Sequence, residues 1–218
     1  MCGIETYLLI HIIMEKKIQA KIKAKKLLSE EEQFMIFDFE DPVLWLKLYV
    51  KHYKLASSEL ECKMISLRNI ALLNFYWKRY IAYSHTVDMH FETGDVELLK
   101  LFVKNNVIST KLQLKLIEMN NAELLKEYMQ GGYFSNGAEE KFLELWNEEL
   151  LRFYIRRYYF SPAVELAFVE KNDTALLSYY VKKHKLTQPA KERIYQIADK
   201  EVLRVYTNTW VYPKAWNK

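Results

Sequence analysis

The chain has 218 residues, of which 50% are hydrophobic and 28% charged, and its formal net charge is +4. This composition excludes intrinsic disorder, which requires low hydrophobicity and high net charge, and its mild basicity falls short of a dedicated nucleic-acid-binding domain. Only five glycines and four prolines are present, too few for the turns of a β-sandwich or barrel, so we expect an all-α fold with short loops.

The N-terminal segment contains an apolar run at residues 7–14. A membrane-spanning helix needs ~20 apolar residues, and a signal peptide needs basic residues before its apolar run. Here Glu5 precedes the run and Glu15 follows it, so we expect neither kind of segment. Residues 1–14 are interpreted either as an N-terminal cap or as an extension that precedes a native start at Met14.

The chain has two cysteines, Cys2 and Cys62, and no CxxC motif. Two such cysteines cannot form a disulfide framework, which favours a reducing compartment and a cytoplasmic location. We expect Cys62 to be a small core residue.

From residue 15 onward the sequence repeats itself every 26 or 27 residues. The clearest copies have a Leu-Leu pair followed by an aromatic residue, and they begin at Asp95, Asn121, Asn147 and Asp173. Extending this register gives eight repeats, which begin at Glu15, Pro42, Asn69, Asp95, Asn121, Asn147, Asp173 and Asp199. Several independent positions repeat together, which is typical of a tandem-repeat protein.

Each repeat predicts a first helix with a cap and a buried face. Asn or Asp at repeat position 1 is the N-cap in the last six repeats, and Asp41 has that role before Pro42. Positions 5 and 8 share one helix face, so we expect them in the core rather than on a platform for stacked bases. The two columns are Leu46, Leu73, Leu99, Leu125, Leu151, Leu177 and Leu203, and Tyr49, Tyr76, Phe102, Tyr128, Tyr154, Tyr180 and Tyr206.

A second helix is predicted in each repeat. Ser or Thr at position 15 predicts its N-cap, at Ser29, Ser109, Ser135, Ser161 and Thr187. The apolar face of this helix is expected at Leu116-Ile117, Phe142-Leu143, Phe168-Val169 and Ile194-Tyr195.

Helices of about ten residues are marginal on their own in water, so their stability must come from packing against neighbouring repeats. The predicted fold is an α-solenoid of about eight 26-residue helix-turn-helix repeats over residues 15–212, stacked in a single right-handed or curved array, with residues 213–218 as a tail. In this architecture the chain resembles HEAT-like and other short helical-hairpin repeat proteins. The resemblance covers the repeat form alone, since the repeat is shorter than theirs and lacks their signature residues, so no functional residue carries over.

Two columns of basic residues form the candidate functional surface. Positions 6 and 10 lie opposite the leucine and aromatic columns, so we expect their side chains to be exposed. They contain no acidic residue and are rich in lysine and arginine, at Lys47, Lys51, Lys78, Lys100, Lys104, Lys126, Arg152, Arg156, Lys182 and Arg204. Stacked repeats would align these residues into a positive strip for a polyanion or an acidic partner, although a merely solvated face also accounts for them.

The second helices show the opposite charge at position 24, where Asp38, Glu92, Glu118, Glu144 and Glu170 occur. We therefore expect one helix row to be basic and the other acidic.

The third repeat interleaves aromatic and basic residues over 77–83 and continues with His85, Asp88 and His90. Their spacing is not that of a recognised zinc site, so we predict no metal and no cofactor. The chain has no GxSxG, P-loop, GxGxxG or HExxH motif. We expect a non-enzymatic scaffold that binds another macromolecule, with a protein as the favoured partner and nucleic acid as the alternative.

Overall fold

The computed structural model describes the backbone of residues 2–211 and the side chains of residues 10–83, 85–89 and 91–210, so the predicted tail lies outside the described residues. As predicted, the described chain is all-α, with no strand. Its helices are α1 (Cys2–Lys23), α2 (Glu30–Met35), α3 (Pro42–Val50), α4 (Ser58–Ser66), α5 (Ile70–Trp77), α6 (Ser84–Thr93), α7 (Val96–Asn105), α8 (Thr110–Glu118), α9 (Ala122–Gly131), α10 (Asn136–Glu144), α11 (Glu148–Ile155), α12 (Pro162–Glu170), α13 (Thr174–Lys183), α14 (Gln188–Ile197) and α15 (Lys200–Tyr206). A 3₁₀ turn at Ile36–Asp38 and a π-helical turn at Thr207–Val211 complete the secondary structure.

The odd-numbered helices are the first helices of successive repeats, and the even-numbered helices are the second helices. Helix α1 is longer than the others because it runs without a break through residue 15, where the first repeat begins in the sequence. The helices of repeats 2 to 7 have eight to ten residues, close to the predicted length.

The chain forms two compact units that divide between Val107 and Ile108, inside the loop of the fourth repeat. In the N-terminal unit α3 packs against α1 and α5, α5 also packs against α7, and α4 packs against α6. In the C-terminal unit α9, α11, α13 and α15 pack in sequence order, and α8, α10, α12 and α14 do the same. Within each unit, first helices therefore contact first helices of the next repeat, and second helices contact second helices.

The predicted N-caps of the first helices are confirmed. Asp41 Oδ1 accepts a hydrogen bond from the Leu44 backbone N–H at 3.0 Å. The equivalent bond, to the residue three positions ahead, recurs at Asn69, Asp95, Asn121, Asn147 and Asp173. These side chains satisfy N–H groups that a helix leaves unpaired at its start.

The two predicted core columns are also buried. The seven position-8 aromatic residues and the position-5 leucines from Leu46 to Leu177 are all buried. Leu203 in α15 is the exception, since it is only partly covered. The aromatic rings are thus packing groups of the core, as the helical spacing predicts.

In repeats 3 to 6, a tight turn at repeat position 26 leads from the second helix to the next repeat. Gly94, Asn120, Trp146 and Asn172 have φ values of 65°, 47°, 45° and 51°. Asn tolerates this left-handed conformation better than most residues other than glycine, which explains how the chain turns with so few glycines.

Three local predictions are wrong. Ser29 caps α2, but the hydroxyls of Ser109, Ser135, Ser161 and Thr187 accept no cap bond, although each residue precedes its helix. Cys62 is only partly buried, because the adjacent Glu61 takes the interior position on α4. Tyr195 is exposed on α14, where Ile194 alone faces the core.

Candidate binding surface

The position-10 residues are exposed, as predicted, and they lie near the carboxyl ends of the first helices. Within the described chain, Lys51, Lys78, Arg156 and Lys182 are exposed and form no ion pair. Lys104 is exposed at the equivalent place on α7. Positive charge at a helix C-terminus is favoured by the helix dipole.

The position-6 residues have a different environment. Contrary to the prediction, Lys100, Lys126 and Arg152 are only partly exposed, and first-turn glutamates neutralise most of the column. Lys100 Nζ lies 3.0 Å from Glu97 Oε1. Arg152 Nε lies 2.9 Å from Glu148 Oε1, and Arg204 Nη2 lies 3.8 Å from Glu201 Oε1. Lys126 pairs with Glu149 of the following repeat. Lys47 lies over the Phe75 ring. The two basic columns therefore do not form one uniform strip.

Positive charge instead concentrates in the loops between the first and second helices, at repeat positions 10 to 15. We call this surface the basic loop edge of each unit. It has no acidic residue in repeats 1 to 7 and carries Lys25, Lys26, Lys51, Lys54, Lys78, Arg79, Lys104, Arg156, Arg157, Lys182, Lys183 and Lys185. The position-24 acidic residues, all exposed, lie at the opposite helix ends. Charge therefore separates by loop edge rather than by helix row.

Large apolar side chains project from the same loops. Repeat position 13 holds Leu27, Ile81 and Val107 in the N-terminal unit and Tyr133 and Tyr159 in the C-terminal unit. These five side chains are between 67% and 101% exposed, whereas the next residue in each loop is a buried or half-buried apolar residue. Repetition of exposed apolar residues at one position distinguishes them from the isolated cases that occur on any surface.

In the C-terminal unit two of these loops enclose a cavity of about 280 Å³. Its walls include Tyr133, Tyr158 and Tyr159, and its lining is mainly apolar. The Tyr133 and Tyr158 rings lie 6.3 Å apart. This volume is at the lower end for ligand pockets, which span ~300–1,000 Å³, and suits one bulky side chain better than a large cofactor.

The floor of the cavity is a buried carboxylate with both oxygens engaged. The Tyr154 hydroxyl donates to Glu139 Oε1 at 2.7 Å, and the Ser161 backbone N–H donates to Glu139 Oε2 at 2.9 Å. Burial, followed by the charge of Glu139, raises the pKa of Tyr154, so the phenol keeps its proton. Hydrogen bonds therefore hold the Glu139 carboxylate and the Tyr154 phenol in place at the floor of the cavity.

Polar contacts between repeats hold the cavity loops in place. The Tyr158 hydroxyl donates to the Met129 carbonyl oxygen at 3.1 Å, which joins the ends of α11 and α9. His184 Nε2 lies 2.6 Å from the Ile155 carbonyl oxygen and joins α13 to α11 in the same way. These contacts bring the loop with Lys182 and Lys185 beside the loop with Arg156 and Arg157.

The sequence did not predict the buried polar column to which Glu139 belongs. Gln33, Gln113, Glu139 and Glu165 occupy repeat position 19, and all four are buried. Each accepts a backbone N–H of the next repeat, from Ala56, Ser135, Ser161 and Thr187. Glu61, one position later, accepts the Tyr83 N–H. The 26-residue spacing of Gln113, Glu139 and Glu165 was the available signal.

The His-rich part of the third repeat provides no metal centre among the described side chains, which do not include that of His90. His85 is exposed on α6, and Asp88 is half-buried. None of the helices in the part of the chain that the structure describes has the length and apolar composition of a membrane-spanning segment.

The fold and this surface define the chain as an all-helical protein with two features. A buried polar column joins successive repeats by hydrogen bonds, and the loop edge is basic and partly aromatic. Searches of family models, curated proteins and solved structures give no match to this chain.

Proposed function

We propose that the chain is a non-enzymatic α-solenoid that binds another protein through its basic loop edges. The supporting observation is the repeated exposure of an apolar side chain at position 13 beside lysine and arginine. Repeat proteins bind partners by presenting equivalent side chains from successive rigid repeats. The packing of like helices within each unit supports this architecture and the resemblance to HEAT-like proteins.

The composition of the edge in the C-terminal unit favours a protein partner. Protein interfaces are enriched in tyrosine and arginine, with an apolar centre and a polar rim. Tyr133, Tyr158 and Tyr159 supply such a centre, and Arg156 and Arg157 lie next to it in sequence. Their backbone belongs to a rigid framework, since cross-repeat hydrogen bonds hold these loops.

Nucleic acid is the weaker alternative. Binding along the basic columns requires free cations that can replace counterions on successive phosphates. Lys100, Lys126, Arg152 and Arg204 are already paired with glutamates. This pairing disfavours a continuous phosphate track along position 6.

Affinity capture with quantitative mass spectrometry tests the proposed function. The bait is the full chain, compared with Tyr133→Ser/Tyr159→Ser and with Tyr195→Ser, which removes an exposed tyrosine from α14. We expect the double variant to lose specific partners at moderate salt that the wild type and Tyr195→Ser retain. Equal capture by all three baits would contradict the proposal.

Two further measurements address the alternative and the architecture. Nucleic-acid binding predicts a mobility shift at low salt that Lys104→Glu/Arg152→Glu/Arg156→Glu abolishes. A solenoid predicts a radius of gyration by small-angle X-ray scattering clearly above the ~17 Å of a compact globule of 218 residues. A value near that of the globule would exclude the stacked array.

A further inference from the structure

We infer that the cavity between the 133 and 159 loops receives an apolar side chain from an acidic segment of the partner protein. This inference rests on the proposed function and adds the chemistry of the partner. It combines two features of the C-terminal unit: an aromatic cavity of about 280 Å³ and a rim whose nearest loops carry only positive formal charge.

The cavity selects an apolar group rather than an anion. Its floor is Glu139, which is buried and whose two oxygens already accept hydrogen bonds from Tyr154 and Ser161. A carboxylate or phosphate that entered would face the negative charge of the Glu139 carboxylate, and among the described residues no lysine or arginine lines the cavity to offset that repulsion. The tyrosine walls offer apolar ring surface instead, which favours an aliphatic or aromatic side chain.

The rim selects acidic groups on either side of that apolar residue. Arg156 and Arg157 precede the wall residue Tyr158, and the His184 contact with Ile155 brings the Lys182 loop alongside. Arg157 is held in place, because its guanidinium stacks 3.9 Å from the Phe153 ring centroid. Arg156 and Lys182 are exposed and, within the described chain, form no ion pair. These cations can therefore pair with carboxylates of an incoming segment without breaking an internal contact.

Neither a partner with charge alone nor a partner with apolar groups alone would account for both the aromatic cavity and the cationic rim. A polyanion without apolar groups leaves Tyr133 and Tyr159 uncovered, and an uncharged apolar segment leaves the rim cations unpaired. An acidic segment with one bulky apolar residue satisfies the two requirements together.

The test uses fluorescein-labelled peptides of about a dozen residues and fluorescence anisotropy with the full chain. The first peptide has glutamates around a central leucine, the second has glutamines in place of the glutamates, and the third has glycine in place of the leucine. Labelled single-stranded RNA and phosphatidylserine vesicles are tested in parallel. We expect the first peptide to bind about ten-fold or more tightly than each other probe, with affinity falling between about 50 mM and about 200 mM salt.

Variants of the chain separate the rim from the cavity. Arg156→Glu/Lys182→Glu should weaken the first peptide about ten-fold, whereas Lys171→Glu/Lys200→Glu, with the same charge change near the opposite edge, should leave it within about two-fold. Tyr133→Ser/Tyr159→Ser should reduce binding of the leucine peptide to the level of the glycine peptide. Circular dichroism and thermal melts establish that each variant is folded.

The outcomes distinguish this inference from the proposed function. Equal binding of the glutamine peptide refutes the acidic partner, and equal binding of the glycine peptide refutes use of the cavity. Tighter binding of RNA or vesicles than of the first peptide refutes both the acidic partner and the use of the cavity. If no probe binds while partner capture still depends on Tyr133 and Tyr159, the partner chemistry is wrong and the proposed function stands. If capture is also unaffected by those tyrosines, both proposals fail.

Discussion

The Tyr154 hydroxyl donates to the buried carboxylate of Glu139 at 2.7 Å, across the boundary between two repeats. Tyr180 and Glu165 repeat the contact at 2.8 Å, again 15 residues apart in the sequence. The tyrosine hydroxyl donates to the position-19 side chain where that side chain is a glutamate. Where that position is the amide Gln113, its Nε2 donates to the Ile108 carbonyl and the next tyrosine, Tyr128, donates to the Tyr133 carbonyl instead.

This pairing predicts opposite effects of one substitution at two equivalent tyrosines. Tyr154→Phe leaves a Glu139 oxygen buried without its donor, so we expect a loss of ~1–3 kcal/mol in the free energy of unfolding. Tyr49 has a buried hydroxyl with no hydrogen-bond partner in the described chain, so Tyr49→Phe should be neutral or stabilising. Urea unfolding monitored by circular dichroism measures both. A larger loss for Tyr49→Phe would contradict the importance of the pair.

Local periodicity was sufficient to predict the helices, the first-helix caps and the two core columns. Asn147 and Leu151, for example, are read directly from a helix of period 3.6 and its N-cap chemistry. The sequence register is the same in successive repeats because the same face of each first helix packs against the neighbouring repeat.

The buried polar column and the loop edge could not be predicted in this way. Periodicity assigns a polar residue such as Glu139 to the surface, because the donors that stabilise its burial come from the next repeat. The position-6 residues posed the converse problem. The sequence indicates that Arg152 is an exposed cation, and only its contact with Glu148 in the structure shows that its charge is neutralised. Tyr133 and Tyr159 resemble core residues by type, and only the fold shows that they project from the loops.

The core register predicts a graded response along the leucine column. Leu151→Ala removes a fully buried side chain and should cost ~2–5 kcal/mol of unfolding free energy. Leu203→Ala should cost less, since Leu203 is only partly covered. Arg152→Ala, a partly exposed ion-pair partner, should cost at most ~1 kcal/mol. Thermal and urea unfolding compare the three variants, and the reverse order would show that the assigned register is wrong.

The two kinds of N-cap predict different costs for removing a polar side chain. Asn147→Ala deletes the acceptor of the Leu150 N–H bond at 3.1 Å, so we expect a loss of ~1 kcal/mol. Ser161→Ala should be close to neutral, because the Ser161 hydroxyl caps no helix and has no partner in the described chain. Equal losses in urea unfolding would mean that the serine hydroxyl does cap α12.

The two adjacent glycines at the end of α9 predict changes of opposite sign. A Cβ on Gly132 would lie 2.8 Å from Tyr128 Cε2, in a ring fixed by burial and by its bond to the Tyr133 carbonyl. Gly132→Ala should therefore destabilise the chain by ~1–3 kcal/mol. A Cβ on Gly131 meets nothing within 4 Å, so Gly131→Ala should stabilise the helix end by up to ~1 kcal/mol. Thermal unfolding distinguishes the pair, and a neutral Gly132→Ala would show that the Tyr128 ring can move aside.

Glu61 predicts a dependence of stability on pH in the N-terminal unit. Burial raises the pKa of Glu61 above its usual 4.5, although hydrogen bonds from the Tyr83 N–H, the Trp77 indole and the Thr86 hydroxyl oppose this effect. The folded chain therefore keeps this proton at pH values where the unfolded chain has lost it. The contribution of Glu61 to the free energy of unfolding falls as pH rises from the unfolded pKa through the folded pKa.

Substitution by glutamine removes this titration and keeps the size and an acceptor oxygen. The position-19 residue Gln33 shows that an amide can accept the backbone N–H of the next repeat while donating to a carbonyl. The free energy of unfolding of Glu61→Gln minus that of the wild type should increase as pH rises from about 4.5 to about 7.5. Urea titrations at several pH values give this difference directly. A difference that stays constant, or decreases, over the range would show that Glu61 does not have a raised pKa in the folded chain.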